Sequence, residues 1–326
     1  MKRLLRHSLL LGLAALLGAF AIGCKSSSEQ ASRESLAALD TPQAKLATPK
    51  SSPRTPDCGD PTASLRPRGT LPPPGQMPAG SFMRQIQRRG RLIAGVDQNT
   101  LLFGYLNPAN GKIEGFEIDV LRQLANSILG DPNAIEFKAI RTDQRIPFVR
   151  DGSVDLVADA VTINCERLQE VAFSSVYYEA KQRVLVPRNS RARGIGDLGG
   201  KRVCATVGST SLARVAGARS KPIPKGVPQR TDCLVAIQQG EVDAISSDDA
   251  ILLGFKAQDP NTKIVGPPLA DEPYGIAITK NHPEFVRFVN GVLERMRADG
   301  TWARIHRKWL GRLTPTPPPP QARYRD

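Results

Sequence analysis

Arg167 stands five residues after Thr162 in the run Asp159-Ala160-Val161-Thr162-Ile163-Asn164-Cys165-Glu166-Arg167, on a loop that leaves an apolar strand. A guanidinium offers two parallel donors to a carboxylate, and a threonine hydroxyl can add another. A second loop, Thr206-Val207-Gly208-Ser209-Thr210-Ser211, also follows a strand and opens a helix. Amides and hydroxyls at a helix start suit an anion. The loop lacks the Gly-Lys-Ser/Thr ending of a phosphate-binding loop. Asp248 ends the run Val242-Asp243-Ala244-Ile245-Ser246-Ser247, with Asp249 beside it as an alternative partner or a helix N-cap. These groups bind charge; they do not form a nucleophile relay. Of three histidines, His7 precedes the mature chain, His282 comes before Pro283 and His306 sits between Arg304 and Arg307. No Ser-His-Asp or Cys-His arrangement can be built from them, which argues against a hydrolase. No CxxC pair occurs either, which argues against a zinc site.

The elements that must position these residues alternate between strand and helix. Arg91–Val96 reads as a strand, Phe116–Leu129 as an amphipathic helix and Ile135–Ile140 as a second strand. A helix over Arg145–Asp151 and a strand over Ser153–Val157 follow. This order implies a parallel sheet flanked by helices, an α/β class. The pattern restarts at Arg202–Thr206, with helices from Ser209 and over Cys233–Gln239 and a strand at Val242–Ile245. Two such modules at this length predict two lobes. Lys181–Pro187 would leave the first lobe and Tyr274–Thr279 would return to it, giving a two-strand hinge. Helices over Pro283–Asp299 and Thr301–Leu310 would complete the first lobe.

The ends of the chain give its address. Lys2, Arg3 and Arg6 precede an apolar stretch from Ser8 to Gly23, the pattern of a secretory signal peptide. Ala21-Ile22-Gly23-Cys24 resembles a bacterial lipobox, which would make Cys24 the lipidated first residue of an exported protein. The other four of five cysteines are then expected to pair. Cys204 and Cys233 lie 29 residues apart in one lobe. That leaves Cys58 for Cys165. The formal charge is +14, and loss of Lys2, Arg3 and Arg6 leaves +11. Export removes nucleic acid as a partner and leaves an acidic ligand, an anionic membrane or a solvated surface. Ten of 27 prolines fall between residues 41 and 78, and five more between 315 and 320. Without apolar periodicity these segments read as a tether and a disordered tail. The expected organisation is a signal peptide at 1–23 and a lipidated Pro-rich tether at 24–80. Lobe 1 follows at 81–187 plus 266–311, lobe 2 at 188–265 and the tail at 312–326.

Residues 83–311 resemble the polar amino-acid-binding proteins of ABC transporters, bacterial solute-binding family 3. The resemblance rests on Gly95-Val96-Asp97, Gly115-Phe116-Glu117-Ile118-Asp119-Val120, the Asp159–Arg167 run with Phe173-Ser174, and Asp299–Ile305 with Lys308-Trp309-Leu310-Gly311. The lipobox, tether and paired cysteines are most similar to the glutamine/glutamate-binding lipoproteins of mycobacterial type. The resemblance implies a two-lobed type II periplasmic-binding-protein fold, monomeric and without a cofactor. It would bind Glu, Asp, Gln or Asn outside the cytoplasm and present the closed form to an ABC permease or a membrane sensor.

It also implies roles. Arg167 and Thr162 would take the ligand's α-carboxylate, and the Ala160 carbonyl and Asp248 its ammonium. Thr206 and Thr210 would line the second-lobe side. Phe103 would lid the ligand, although Leu102 stands where many relatives have a proline, so the side-chain preference is open. The rival is an exported enzyme on the same scaffold, such as a cyclohexadienyl dehydratase, for which Glu166 or Glu179 would have to serve as acid or base.

Overall fold

The computed structural model describes residues 57–326; the signal peptide, Cys24 and the start of the tether lie outside them. The first lobe is built on a five-stranded sheet ordered Ile135–Ala139, Leu92–Val96, Leu156–Val157, Ala277–Ile278 and Ala172–Phe173. The first three strands are parallel, and Ala277–Ile278 runs against its neighbours. Leu92, Ala94, Val96, Leu156 and Val157 are buried, as they must be in strands covered on both faces. The helix Phe116–Leu129 covers one face through Phe116, Val120, Leu121, Leu124 and Ile128. Because the three strands run in parallel, Asp97, Arg141 and Asp159 all emerge at the same carboxyl edge, where ligands of open α/β sheets bind.

The second lobe repeats the device. Its five strands are ordered Ile223–Val227, Arg202–Thr206, Ala244–Asp248, Tyr178–Pro187 and Thr262–Tyr274. The first three are parallel and place Thr206 and Asp248 at their carboxyl edge. The long strands Tyr178–Pro187 and Thr262–Tyr274 pair antiparallel, from Thr262 opposite Pro187 to Tyr274 opposite Tyr178. The expected lobe limits at 187 and 266 fall inside this ladder. Both strands belong to the second sheet, and the chain crosses between lobes just before Tyr178 and just after Tyr274. The apolar run Val184-Leu185-Val186 reads as a strand for either lobe, and only its pairing with Ala244–Asp248 decides which.

The proline-rich ends differ from expectation where they are described. The expected tether packs on the first lobe from Cys58 onward. Ser64 Oγ donates to the Phe173 carbonyl at 2.7 Å, and Asn290 holds Ser64 Oγ and the Leu65 carbonyl at 2.8 and 2.7 Å. Met77 is buried. The expected disordered tail ends in a two-residue strand, Arg323–Tyr324, parallel to Ala63–Ser64. The Tyr324 hydroxyl donates to Glu294 at 2.6 Å, and the Arg66 amide donates to the Asp326 carboxylate at 2.8 Å. Coil that packs as coil has no sequence period to betray it. A few side-chain anchors supply what proline cannot donate.

Both disulfides form. Cys204–Cys233 joins the strand Arg202–Thr206 to the helix Arg230–Gln238. Cys58–Cys165 ties the N-terminal arm to the short helix Cys165–Leu168 that carries Arg167.

Candidate ligand-binding site

The carboxyl edges of the two sheets face each other, and the lobes touch. Asn164 caps the helix Cys165–Leu168 by accepting from the Arg167 amide at 2.9 Å, which turns the Arg167 side chain back over its own loop. Its Nη1 donates to the Thr162 carbonyl at 2.7 Å and its Nη2 to the Gly208 carbonyl of the second lobe at 3.2 Å. Arg145, buried at the start of the helix Arg145–Arg150, lies alongside. It donates to the carbonyls of Thr142, Asp159 and Ala160 at 2.8 to 3.0 Å. Among the described residues neither guanidinium forms an ion pair with a carboxylate. Burial lowers the pKa of Arg145 to about 9, with the Arg167 charge adding to the effect. Burial lowers that of Arg167 as well, against the pull of Glu272 and Asp248. Two guanidiniums thus lie close together without a paired carboxylate among the described residues.

On the opposite side Asp248 is buried, and its Oδ2 accepts from the Tyr274 hydroxyl at 2.6 Å. Its Oδ1 has no hydrogen-bond partner among the described residues. Burial and the Glu272 charge raise its pKa to about 7. Neighbouring Asp249 accepts from the amides of Lys181 and Ala250 at 3.1 and 2.8 Å. The two aspartates thus divide the work: Asp249 satisfies backbone, and Asp248 keeps an open oxygen.

The threonines meet at a residue the sequence did not single out. Thr162 of the first lobe and Thr210 of the second both donate their hydroxyl protons to Glu272 Oε2, at 2.5 and 2.9 Å. Glu272 is fully buried on the crossing strand and pairs with Arg214 at 3.3 Å. Thr206 is buried at its strand end, where its carbonyl accepts from Ser209 Oγ at 2.6 Å. Ser209 caps the helix Thr210–Ala216 through the Leu212 amide. The Ala160 carbonyl, expected at the ligand ammonium, is taken by Arg145, and its amide donates to buried Glu117 at 2.7 Å. Burial first, then the Asp159 charge, raises the Glu117 pKa to about 7. Phe103 is buried against Phe116, Tyr178 and Tyr274 with ring centroids 5.1 to 6.3 Å apart. Leu102 beside it has φ +80°, which proline cannot adopt, so its departure from the common pattern fits its backbone.

A third charge cluster adjoins Arg145 at the Asp159 carbonyl, to which both Arg145 and Arg230 donate. Arg230, from the second lobe, donates to Asp97 Oδ2 at 2.5 Å and Asp159 Oδ1 at 2.6 Å, both from the first lobe. All three are buried. Burial opposes the Arg230 charge, but Asp159 and Asp97 outweigh it and raise its pKa. Asn99 donates to Gln229 across the same seam at 3.2 Å. Two glycines permit the contact: a Cβ on Gly208 would lie 2.9 Å from Asp143 Cα, and one on Gly254 would lie 2.9 Å from the Leu101 carbonyl oxygen. Glu166 and Glu179, the two carboxylates considered for acid–base chemistry, are both exposed.

The sequence brought out Arg167, Thr162, Thr210 and Asp248, and these do converge. It passed over Arg145, Glu117, Glu272 and Arg230. Asp97 and Asp159 stand at strand ends on the carboxyl edge, a signal that was available.

Two sheets, two crossings and a charged seam between their carboxyl edges define a two-lobed binding protein. Residues 92–312 match the model of the bacterial extracellular solute-binding proteins, family 3, and the chain belongs to that family. It is 36% identical over 226 residues to the glutamine-binding protein of an ABC transporter from Bacillus subtilis, covering 69% of this chain and 83% of that one. It is 31% identical over 259 residues to a glutamate-binding protein of Corynebacterium glutamicum, covering 74% and 86%. Among solved structures, an ancestral arginine-binding protein bound to glutamine superposes with a TM-score of 0.63 at 35% identity, covering 68% of this chain and 99% of that one. The fold is the type II periplasmic-binding-protein fold.

Proposed function

We propose that the cleft binds one free polar amino acid (Glu, Asp, Gln or Asn) across Arg167 and Asp248. The observation that carries this is a complementary pair of charged groups, one from each lobe. Among the described residues, Arg167 and Arg145 pair with no carboxylate, and the buried Asp248 Oδ1 has no donor. An α-amino acid supplies both missing partners at once, and each charge removed from water needs such a partner. Because Arg167 comes from the first lobe and Asp248 from the second, the ligand favours the closed state over the open one. The relatives named for glutamine and glutamate support this ligand class.

The protein would work outside the cytoplasm, held to the membrane by a lipid on Cys24, and would deliver or report its ligand to an ABC permease or a membrane sensor. The test is calorimetric titration of the chain from Lys25 onward, stripped of carried-over ligand, with Glu, Asp, Gln and Asn. Micromolar or tighter binding of at least one supports the reading, and its preference fixes the side-chain class. A folded, ligand-free sample that gives no heat with any of the four refutes it.

A further inference from the structure

Glu272 is a carboxylate that hydroxyls of both lobes reach at once. It lies on the crossing strand two residues before Tyr274, so their side chains share a face of that strand. Tyr274 in turn bridges Thr162 through its backbone and donates to Asp248. Glu272 therefore sits beside the proposed ligand charges. Paired with Arg214 as a carboxylate, it can only accept hydrogen bonds. A threonine hydroxyl has one proton and two lone pairs. Thr162 and Thr210 each spend that proton on Glu272 Oε2, at 2.5 and 2.9 Å. What they have left for a ligand is lone pairs. The resemblance gave Thr162 to the ligand carboxylate as a donor; the hydrogen bonding gives it the opposite polarity.

We propose that Glu272 is a positioning residue: by taking the protons of Thr162 and Thr210 it fixes both oxygens as acceptors, so that the cleft demands an ammonium group. The proposal rests on the amino-acid reading above. With the open Oδ1 of Asp248, the two hydroxyl oxygens match the three N–H donors of an α-ammonium. A ligand with the same carboxylates but no ammonium would leave three buried acceptors unsatisfied, which is costly. Glu272 thus acts on selectivity for the amino group and leaves carboxylate capture to Arg167.

The experiment compares L-glutamate and L-glutamine with their des-amino analogues, glutarate and glutaramate, on wild type and Glu272→Gln. The readout is the affinity ratio of each amino acid to its analogue. In wild type the ratio should be roughly 100-fold or more, given the cost of unmet buried acceptors. Glu272→Gln should weaken the amino acids roughly 30-fold and the analogues less than about 3-fold, collapsing the ratio. Thr162→Val, which keeps Glu272, should collapse it too and guards against a variant that folds poorly. An unchanged ratio in folded Glu272→Gln, or equal weakening of both ligands, overturns the proposal and leaves the amino-acid reading standing. If wild type binds neither amino acid, the reading itself fails and this inference falls with it.

Discussion

The cleft has two charged ends, and they are finished differently. At one end Arg230 lies between Asp97 and Asp159, and the ion pairs that join the lobes come from the protein itself, although Asp159 Oδ2 has no partner among the described residues. At the other, Arg167 pairs with no carboxylate among the described residues, and buried Asp248 keeps an oxygen without a donor there. Arg145 lies between the two, sharing the Asp159 carbonyl with Arg230. A buried charge without a partner is costly, whereas a paired one roughly breaks even. On the proposed function the difference separates latch from receptor: Arg230 holds the lobes in register, and Arg167 and Asp248 would gain their partners from a ligand.

The sharpest way to break this comparison is to remove one ion at each end. Arg230→Met strands two buried aspartates and should destabilise the fold by about 3–5 kcal/mol in chemical denaturation. Arg167→Ala should barely move the unfolding midpoint, by about 1 kcal/mol or less, because Arg167 meets only two carbonyls. It should nevertheless weaken amino-acid binding roughly 100-fold, as loss of a bidentate carboxylate partner does. If Arg230→Met unfolds no more readily than Arg167→Ala, the latch and the receptor are not distinct.

Titration sharpens the same contrast. The folded pKa of Asp248 is raised to about 7 from 3.8, so the unliganded fold holds its proton more tightly than the unfolded chain does. This term favours folding below about pH 4, fades as pH rises and is spent above about pH 7. Glu117, raised to about 7 from 4.5, contributes with the same sign. A ligand ammonium favours the Asp248 carboxylate, so binding at pH 6 should release close to one proton. Affinity should climb up to tenfold per pH unit below pH 7 and level off above it. Calorimetry in buffers of different ionisation enthalpy measures the released proton. Asp248→Asn should abolish the release, weaken binding and make the unliganded protein more stable above pH 7.

The smallest effect belongs to the seam. Gly254→Ala puts a methyl against the Leu101 carbonyl of the other lobe, at 2.9 Å from its oxygen. Alanine is the better helix residue, so the isolated second lobe gains slightly while closure suffers. Affinity should fall several-fold, to be read by titration beside an unchanged or raised melting point. An unaffected affinity would mean that the lobes do not close as tightly as the touching glycines indicate.

How far the sequence foretold this follows from how local each feature is. The Thr162–Arg167 loop is a short chain segment whose spacing alone brings hydroxyl and guanidinium together. Asp248 ends a strand at the carboxyl edge, and both disulfides followed from a count of cysteines and their spacing. Glu272 was hidden because Asp271-Glu272-Pro273 looks like a charged surface turn. Only its strand pairing turns it inward, two residues from Tyr274. Arg230 and Arg145 open helices, where an arginine is ordinarily solvated, and acquire roles only when the lobes meet. The arm and tail misled for the opposite reason: their composition describes a chain that cannot form a core, yet it can lie on one that exists already.

The most direct test is a crystal structure of the protein with the amino acid that titration selects. The ligand carboxylate should lie on Arg167, its ammonium on Asp248 Oδ1, and Arg230 should still hold Asp97 and Asp159. A ligand carboxylate bound to Arg230 instead, with Asp248 untouched, would contradict the division of the cleft into a latch and a receptor.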